Sequence, residues 1–285
     1  REAEKKGMAI SLFEKLAQKH GHIACKSLTI QYRMNKDILL LSNSLIYDGK
    51  MKCASHSISA QQIKLNKDCA TGSIAAWLQH ALDPNHRVIL FNTDKLNADD
   101  VVMDNTNNTE MKGKKRKKSR NKTVNEHEAN MIEMIVHQLF RFGVYSSQIG
   151  VMAPYRSQLK LIKSKLDKLN VPLSPSSPLS QQEIVDYREN KNNRRESSLL
   201  LDTVDRFQGS DRDVIIISFT HTRSDKKVGQ ILHDWRRINV ALTRAKCKLI
   251  LIASVDALKQ SNSYILKRLV DISNQQKWIY HLDAY

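Results

Sequence analysis

Two apolar runs with no polar alternation, residues 214–217 and 249–252, restrict the fold more than any other feature of the chain. A strand with one wet face alternates apolar and polar residues. A run that is apolar at every position must be covered on both faces, as in a parallel sheet flanked by helices. Segment 199–201 is a third run of this kind, and residues 87–91 and 149–153 read the same way. Residues 27–30 read as a further strand. Helical spacing marks the segments between. Residues 37–47 turn Ile38, Leu41 and Leu45 inward, and 74–82 forms a short helix with Trp77 packed. Residues 126–142 place Ala129, Ile132, Val136, Leu139 and Phe140 on one side. Leu159, Ile162, Leu166 and Leu169 define another helix, 235–246 and 264–272 two more, and Ile10, Phe13, Leu16 and Ala17 a first one. Strands alternating with helices from 27 to 272 predict an α/β fold, a parallel sheet with right-handed crossovers.

In such sheets ligands gather at the carboxyl ends of strands. The loop of residues 202–213, containing TVDRFQGSD, is expected there. Gly209 suits a tight turn or a close backbone approach, and Gln208 and Asp211 flank it with an amide and a carboxylate able to bond a ribose or a base edge. In the helix that follows, Asp234 is a good N-cap. Arg237 and Arg244, seven apart, project from one side. Two guanidiniums beside a glycine loop favour phosphate; a solvated helix face is the plain alternative.

The formal net charge is +17. Residues 112–122 supply eight positive charges, which leaves 17 − 8 = +9 elsewhere. An excess spread beyond one tail-like run favours a polyanionic partner, nucleic acid above all. Residues 95–124 form a long polar loop, expected to be disordered, whose basic core fits a nuclear import signal, a phosphate contact or a solvated insertion. The Pro/Ser-rich stretch 171–198 reads as a flexible insertion. The cysteines at 25, 53, 69 and 247 have no CxxC spacing, so free thiols and no metal site are expected. No apolar run approaches the roughly 18 residues of a membrane span. The opening residues lack a signal-peptide core and begin without Met, as a fragment or processed product would.

Three longer segments carry a resemblance. TVDRFQGSDRDVIIIS resembles motif V of the superfamily one helicases, RRINVALTRAK their motif VI, and QYRMN (31–35) their motif IV. The flanks Gly7-Met8, Leu41-Ser42-Asn43, FNTD at 91–94, IGVMAPYRSQL, Val228-Gly229 and DWRR at 234–237 resemble the helicase/nuclease branch that serves eukaryotic DNA replication. The resemblance implies the end of a first motor domain at 1–26, a second RecA-like motor domain at 27–273 and a tail at 274–285. It implies ATP with Mg, bound mainly by the first motor domain of the same protein, which would bring the phosphate loop and the metal carboxylates. No GxxxxGK[ST] occurs in this chain, so alone it is expected not to hydrolyse ATP.

By the same resemblance Arg33 and Arg244 reach the γ-phosphate, and Tyr32 either stacks near the adenine or packs in the core. Gln208, Gly209, Asp211 (where the family has Glu) and Arg237 complete the ATP-binding set. Thr203, Pro154, Tyr155 and Gln158 fit contacts to a DNA backbone. Further implications are 5′-to-3′ movement on single-stranded DNA and flap cleavage by a nuclease domain elsewhere that holds an iron–sulfur cluster. Single-strand-binding protein is an implied partner, with no membrane association, and the nucleus, with the mitochondrion second, the implied compartment. An RNA helicase of the nonsense-mediated-decay branch, or a binding module that has lost its motor, are the alternatives.

Overall fold

The computed structural model describes residues 10–66, 73–96, 101–103, 122–168, 198–207, 209–220 and 234–282. In chain order the elements are α1 (Leu12–Ala24), β1 (Ile30–Gln31), α2 (Lys36–Ser42), β2 (Lys52–Cys53), α3 (His56–Ala60), α4 (Ala76–Leu82) and β3 (Val88–Asn92). There follow β4 (Val101–Met103), β5 (Lys122–Val124), α5 (Glu126–Arg141), β6 (Ile149–Met152), α6 (Arg156–Lys168), β7 (Leu200–Asp202) and β8 (Arg212–Ser218). The last five are α7 (Trp235–Leu242), β9 (Ala245–Ala253), α8 (Val255–Gln260), α9 (Tyr264–Gln275) and β10 (Ile279–His281).

Six strands form one parallel sheet in the order β10-β3-β9-β8-β6-β7. Its central strands are buried at nearly every position because helices cover both faces. Val88, Leu90, Ile215, Ile217, Leu249 and Leu251 face the layer of α2, α7, α8 and α9. Their neighbours Ile89, Phe91, Val214, Ile216, Ile250 and Ile252 face α4, α5 and α6. The alternation that is absent in polarity thus reappears as a choice between two cores. This is the parallel α/β arrangement expected of a RecA-like domain.

Several boundaries differ from the sequence reading. The strand expected at 27–30 shrinks to β1, which pairs with β2 in a separate two-stranded sheet and leaves Leu28 exposed. The helix expected over 37–47 changes at Asn43 to a π-helical turn, Asn43–Tyr47, closed by Asp48 in the left-handed region. The loop expected to be disordered over 95–124 carries β4 and β5, paired antiparallel, at its ends; residues 104–121, with most of the basic run, lie outside the described residues, as do 171–197 of the Pro/Ser-rich stretch. The helix expected over 235–246 ends at Leu242, and Ala245 and Lys246 already belong to β9. The segment after residue 273 supplies β10, which pairs with β3 along the sheet edge.

Candidate functional site

The α7–β9 boundary decides where the site lies. Arg244 occupies the turn between them, so it does not share a helix face with Arg237. It enters from the amino end of β9, beside the amino end of β8, where Arg212 pairs with Ala245. A loop at the carboxyl ends of the strands was expected to hold the ligand. The structure instead runs the glycine loop across the domain, from Asp202 at the carboxyl end of β7 to Asp211 at the amino end of β8. Thr203 and Asp211 consequently stand at opposite edges of the sheet.

At the amino edge an open cavity of about 720 Å³ lies between the QYRM segment and residues 239–246, a size suited to a nucleotide. Tyr32, Arg33, Asp211, Arg244 and Lys246 line it. Arg33 Nε donates to Asp211 Oδ2 (3.2 Å) and its Nη1 to the Thr243 carbonyl (3.1 Å). Arg244 Nε donates to the Val240 carbonyl (3.1 Å) and its Nη1 reaches toward that of Ser210 (3.5 Å). Lys246 Nζ lies 3.3 Å from Asp211 Oδ2. The lining therefore sums to +3 − 1 = +2, from Arg33, Arg244 and Lys246 against Asp211.

The proton affinities of these groups reflect the same crowding. Burial, and then the charge of Arg33, weaken the Arg244 guanidinium's hold on its proton, against the opposing pull of Asp211 and Tyr47. For Asp211 burial opposes ionisation, but Lys246 and Arg33 outweigh it and hold the carboxyl below its ordinary value. Two like charges converging on open space beside one shared carboxylate favour a polyvalent anion.

Three amides fix these groups, those of Gln31 and Asn35 buried and that of Gln61 half-buried. Gln31 Oε1 accepts from the backbone N–H groups of Arg33 (2.8 Å) and Met34 (2.7 Å), forming the tight turn that throws the Arg33 side chain outward. Gln61 Nε2 donates to the Arg33 carbonyl and to that of Lys246 (3.0 Å), tying the QYRM turn to β9. Asn35 caps α2 with its Oδ1 while its Nδ2 donates to the Cys247 carbonyl (2.8 Å). Between Arg212 and Val214 β9 carries one extra residue against β8, a bulge of the sort that re-aims a side chain at a rim.

Of the residues expected to bind nucleotide, Arg33, Arg244, Asp211 and Tyr32 meet at this cavity. Tyr32 is 74% exposed, so it stands on the rim and not in the core. Gly209 has φ +91°, with open space where a Cβ would go, so its backbone conformation and not crowding calls for glycine. Arg237 is not at the cavity: at the far end of α7 its Nε pairs with Asp205 (3.1 Å) and Asp234 (3.8 Å). Gln208 lies outside the described residues.

The four residues expected to touch DNA are at the carboxyl edge and only two are accessible there, Tyr155 and Thr203, both half-buried. Pro154 is buried. Gln158 is fully buried, exchanging bonds with the Asn125 backbone (2.7 and 2.9 Å) and donating to Ser218 Oγ (3.2 Å). Ser218 in turn donates to the buried Glu128, which also receives the Thr220 N–H (2.9 Å). Gln158 thus positions the end of β8 and presents nothing to a strand.

The sequence reading missed Lys246, Gln31 and Gln61. Lys246 had a signal, since it follows Arg244 by two in TRAK, but the overlong helix pointed it elsewhere. Gln61 had none: its role consists of contacts to residues 28 and 185 positions away. Among the described residues no group of three His, Cys, Asp or Glu could hold a metal ion, and no helix is long and apolar enough to cross a membrane.

The model of the AAA domain family matches residues 8–256. The chain is 34% identical over 285 residues to the DNA replication ATP-dependent helicase/nuclease of Schizosaccharomyces pombe, covering 98% of this chain and 17% of that protein. With the protein of that name from Homo sapiens it shares 34% over 294 residues, 100% of this chain and 23% of that one. With the one from Arabidopsis thaliana it shares 33% over 283 residues, 99% and 18%. The chain spans about a fifth of the length of the curated relatives it matches. The chain belongs to the AAA domain family and is a homologue of one portion of the DNA replication ATP-dependent helicase/nucleases.

Proposed function

We propose that residues 27–273 are the second RecA-like motor domain of an ATP-dependent DNA helicase/nuclease, that 1–26 end the first motor domain and that 274–285 form a tail. The observation that carries the reading is the convergence of Arg33 and Arg244 on one nucleotide-sized cavity with a +2 lining. A cavity that takes up a polyphosphate needs convergent guanidiniums, and arginines introduced from a second domain stabilise the charge that spreads over the phosphoryl oxygens. ATP with Mg supplies the transferable phosphoryl group, held mainly by the first domain. Within this chain Arg33 and Arg244 meet the γ-phosphate, Tyr32 stacks on the base, and Lys246 adds a third positive charge. Asp211 has two assignments that compete: the ribose contact that the family's longer Glu suggests, and the anchor for Arg33 and Lys246 that the geometry favours. Gln208 and Gly209 complete the nucleotide set; Arg237, paired with Asp205, acts on the loop instead.

The carboxyl edge, with Thr203 and Tyr155, is the side that meets single-stranded DNA. The names of the matched relatives support the reading of DNA over RNA and of a role in replication, with the nucleus as the compartment. Movement from 5′ to 3′, flap cleavage by an iron–sulfur nuclease domain elsewhere, and cooperation with single-strand-binding protein complete the proposal. The test is ATPase turnover of the full-length gene product with Arg33→Ala and Arg244→Ala. Loss of turnover in both, with ATP still bound, supports the reading; unchanged turnover in either removes that arginine from it.

A further inference from the structure

A second concavity lies on the layer formed by α2, α7 and α9, and the π-helical turn separates it from the phosphate site: Ile46 lines this one and Tyr47 the other. It measures about 370 Å³, with Leu45, Ile46 and Ile265 as its apolar floor, and Trp235 and Tyr264 among its walls. Both rings belong to the first turn of their helices. Since α7 and α9 each run back to a strand that starts at the amino edge, these first turns stand toward the carboxyl edge, the side of Thr203.

Large aromatic rings in a folded domain are normally covered. Trp235 is 45% exposed and Tyr264 71%. Each also carries a guanidinium: Arg236 lies 4.9 Å from the Trp235 ring centroid and Arg268 lies 6.0 Å from that of Tyr264. Arg268 is fixed in place, its Nη2 donating to the Ser44 carbonyl (2.6 Å) and its Nη1 to the Tyr264 hydroxyl (3.2 Å). Among the described residues, none that lines the groove is acidic.

From this arrangement we propose that the groove between Trp235 and Tyr264 binds single-stranded DNA, with bases stacked on the two rings and phosphates on Arg236 and Arg268. The proposal rests on the reading of the chain as a DNA motor domain and extends it to a place that motifs IV to VI leave unassigned. Stacking on rings is sequence-tolerant and guanidiniums beside them meet the backbone, the combination a strand-tracking groove requires. An acidic or apolar peptide would also find complementary chemistry here. The strand is favoured by an excess of +9 even without residues 112–122, and by the groove's position on the side of Thr203. Because the Arg268 guanidinium is already tied to the Ser44 carbonyl and the Tyr264 hydroxyl, little further ordering is needed at that ring on binding.

The experiment measures affinity of the full-length product for labelled oligo(dT), with Trp235→Ala, Tyr264→Ala, Trp235→Phe and Tyr264→Phe. Each alanine variant is expected to lose about tenfold in affinity and each phenylalanine variant to retain most of it. ATP affinity and melting temperature should not change. If the alanine variants bind the strand as the parent does, the groove proposal falls, whatever they do to peptide binding. In that case a loss of ATPase in Arg244→Ala still leaves the motor reading standing. If the parent binds no strand, both fall.

Discussion

Two lysines on β9, two residues apart, have opposite fates. Lys246 faces the open cavity, where Asp211 is shared with Arg33 and the positive charges exceed the negative. Lys248 is almost wholly buried on the other face of the sheet, its ammonium donating to the carbonyls of Asp83 (2.7 Å) and His86. Beside it His80 stacks on His86 at 3.7 Å and packs at a tilt against Tyr280 at 4.7 Å. Carbonyl dipoles in a closed pocket satisfy the donors of Lys248 and leave nothing for a ligand. The cations around Lys246 are only partly satisfied and open to water. A buried cation is thus no pointer to a site; convergence of under-compensated cations on accessible space is.

The widest separation between the two faces should come from Arg244→Ala. Removing a guanidinium aimed at the transferred phosphoryl group is expected to lower ATPase turnover by about 10³-fold or more. Strand affinity and melting temperature should be little changed, because the side chain's partners are two carbonyls on the cavity wall. Turnover measured beside oligo(dT) binding checks both halves. Loss of strand binding in step with turnover would mean the cavity and the strand face are not separate.

Gly150→Ala attacks the cavity's support from beneath. A Cβ there would come within 2.7 Å of Ile215 Cδ1 and 2.9 Å of the Phe207 ring. Phe207 is fully buried under the loop that carries Ser210 and Asp211 to the cavity. Overpacking of this kind costs about 1–3 kcal/mol. Urea unfolding should register the cost, with a weaker hold on ATP because the loop shifts. Unaltered stability would show that Phe207 yields freely and that the cavity's lip does not depend on it.

Asp211→Asn is expected to act by several-fold only, and it decides between the two assignments of that carboxylate. As an anchor, its loss raises the cavity's charge from +2 to +3, so inorganic pyrophosphate binds more tightly while turnover falls because Arg33 Nε is left with a neutral amide oxygen in place of a carboxylate. As a ribose contact, its loss weakens ATP binding and leaves pyrophosphate unaffected. Isothermal titration with both ligands separates the two.

Legibility in the sequence followed the range of the contacts involved. The six-stranded sheet was readable in large part because burial on both faces leaves no polar position in its central runs, and Arg33 and Arg244 were readable because their segments carry family motifs. The edge of the sheet was misplaced. The rule of carboxyl ends describes a loop that turns back at the strand it follows, whereas residues 203–211 cross the domain before they reach the cavity. Gln158 was misread because an amide in a helix's first turn looks the same whether it meets a phosphate or a buried backbone. What makes it structural is Asn125, 33 positions away. Trp235 and Tyr264, 29 apart, become one groove only once α7 and α9 lie side by side.

The mildest test uses protons, and the sign follows from the two depressed cations. Burial first, then the charges of His86 and Lys248, pull His80 down from 6.5 to about 4, against Asp83. Burial pulls Lys248 from 10.5 to about 7, again against Asp83. Between about pH 4 and 6.5 the unfolded chain binds the His80 proton and the folded chain does not, so stability rises with pH there. The same argument for Lys248 makes it rise again between about 7 and 10.5. Asp211 acts differently: its depressed carboxyl contributes stability above its ordinary value of 3.8 that is lost only below it. Melting temperature should therefore decline from pH 6.5 downward before the cavity's own ion pairs are touched. Lys248→Met should flatten the profile above pH 7 and keep a somewhat shallower acid limb, because burial and His86 still depress His80 once the Lys248 charge is gone. A profile that stays steep above pH 7 in that variant would place the titration outside this cluster and erase the contrast between the two lysines.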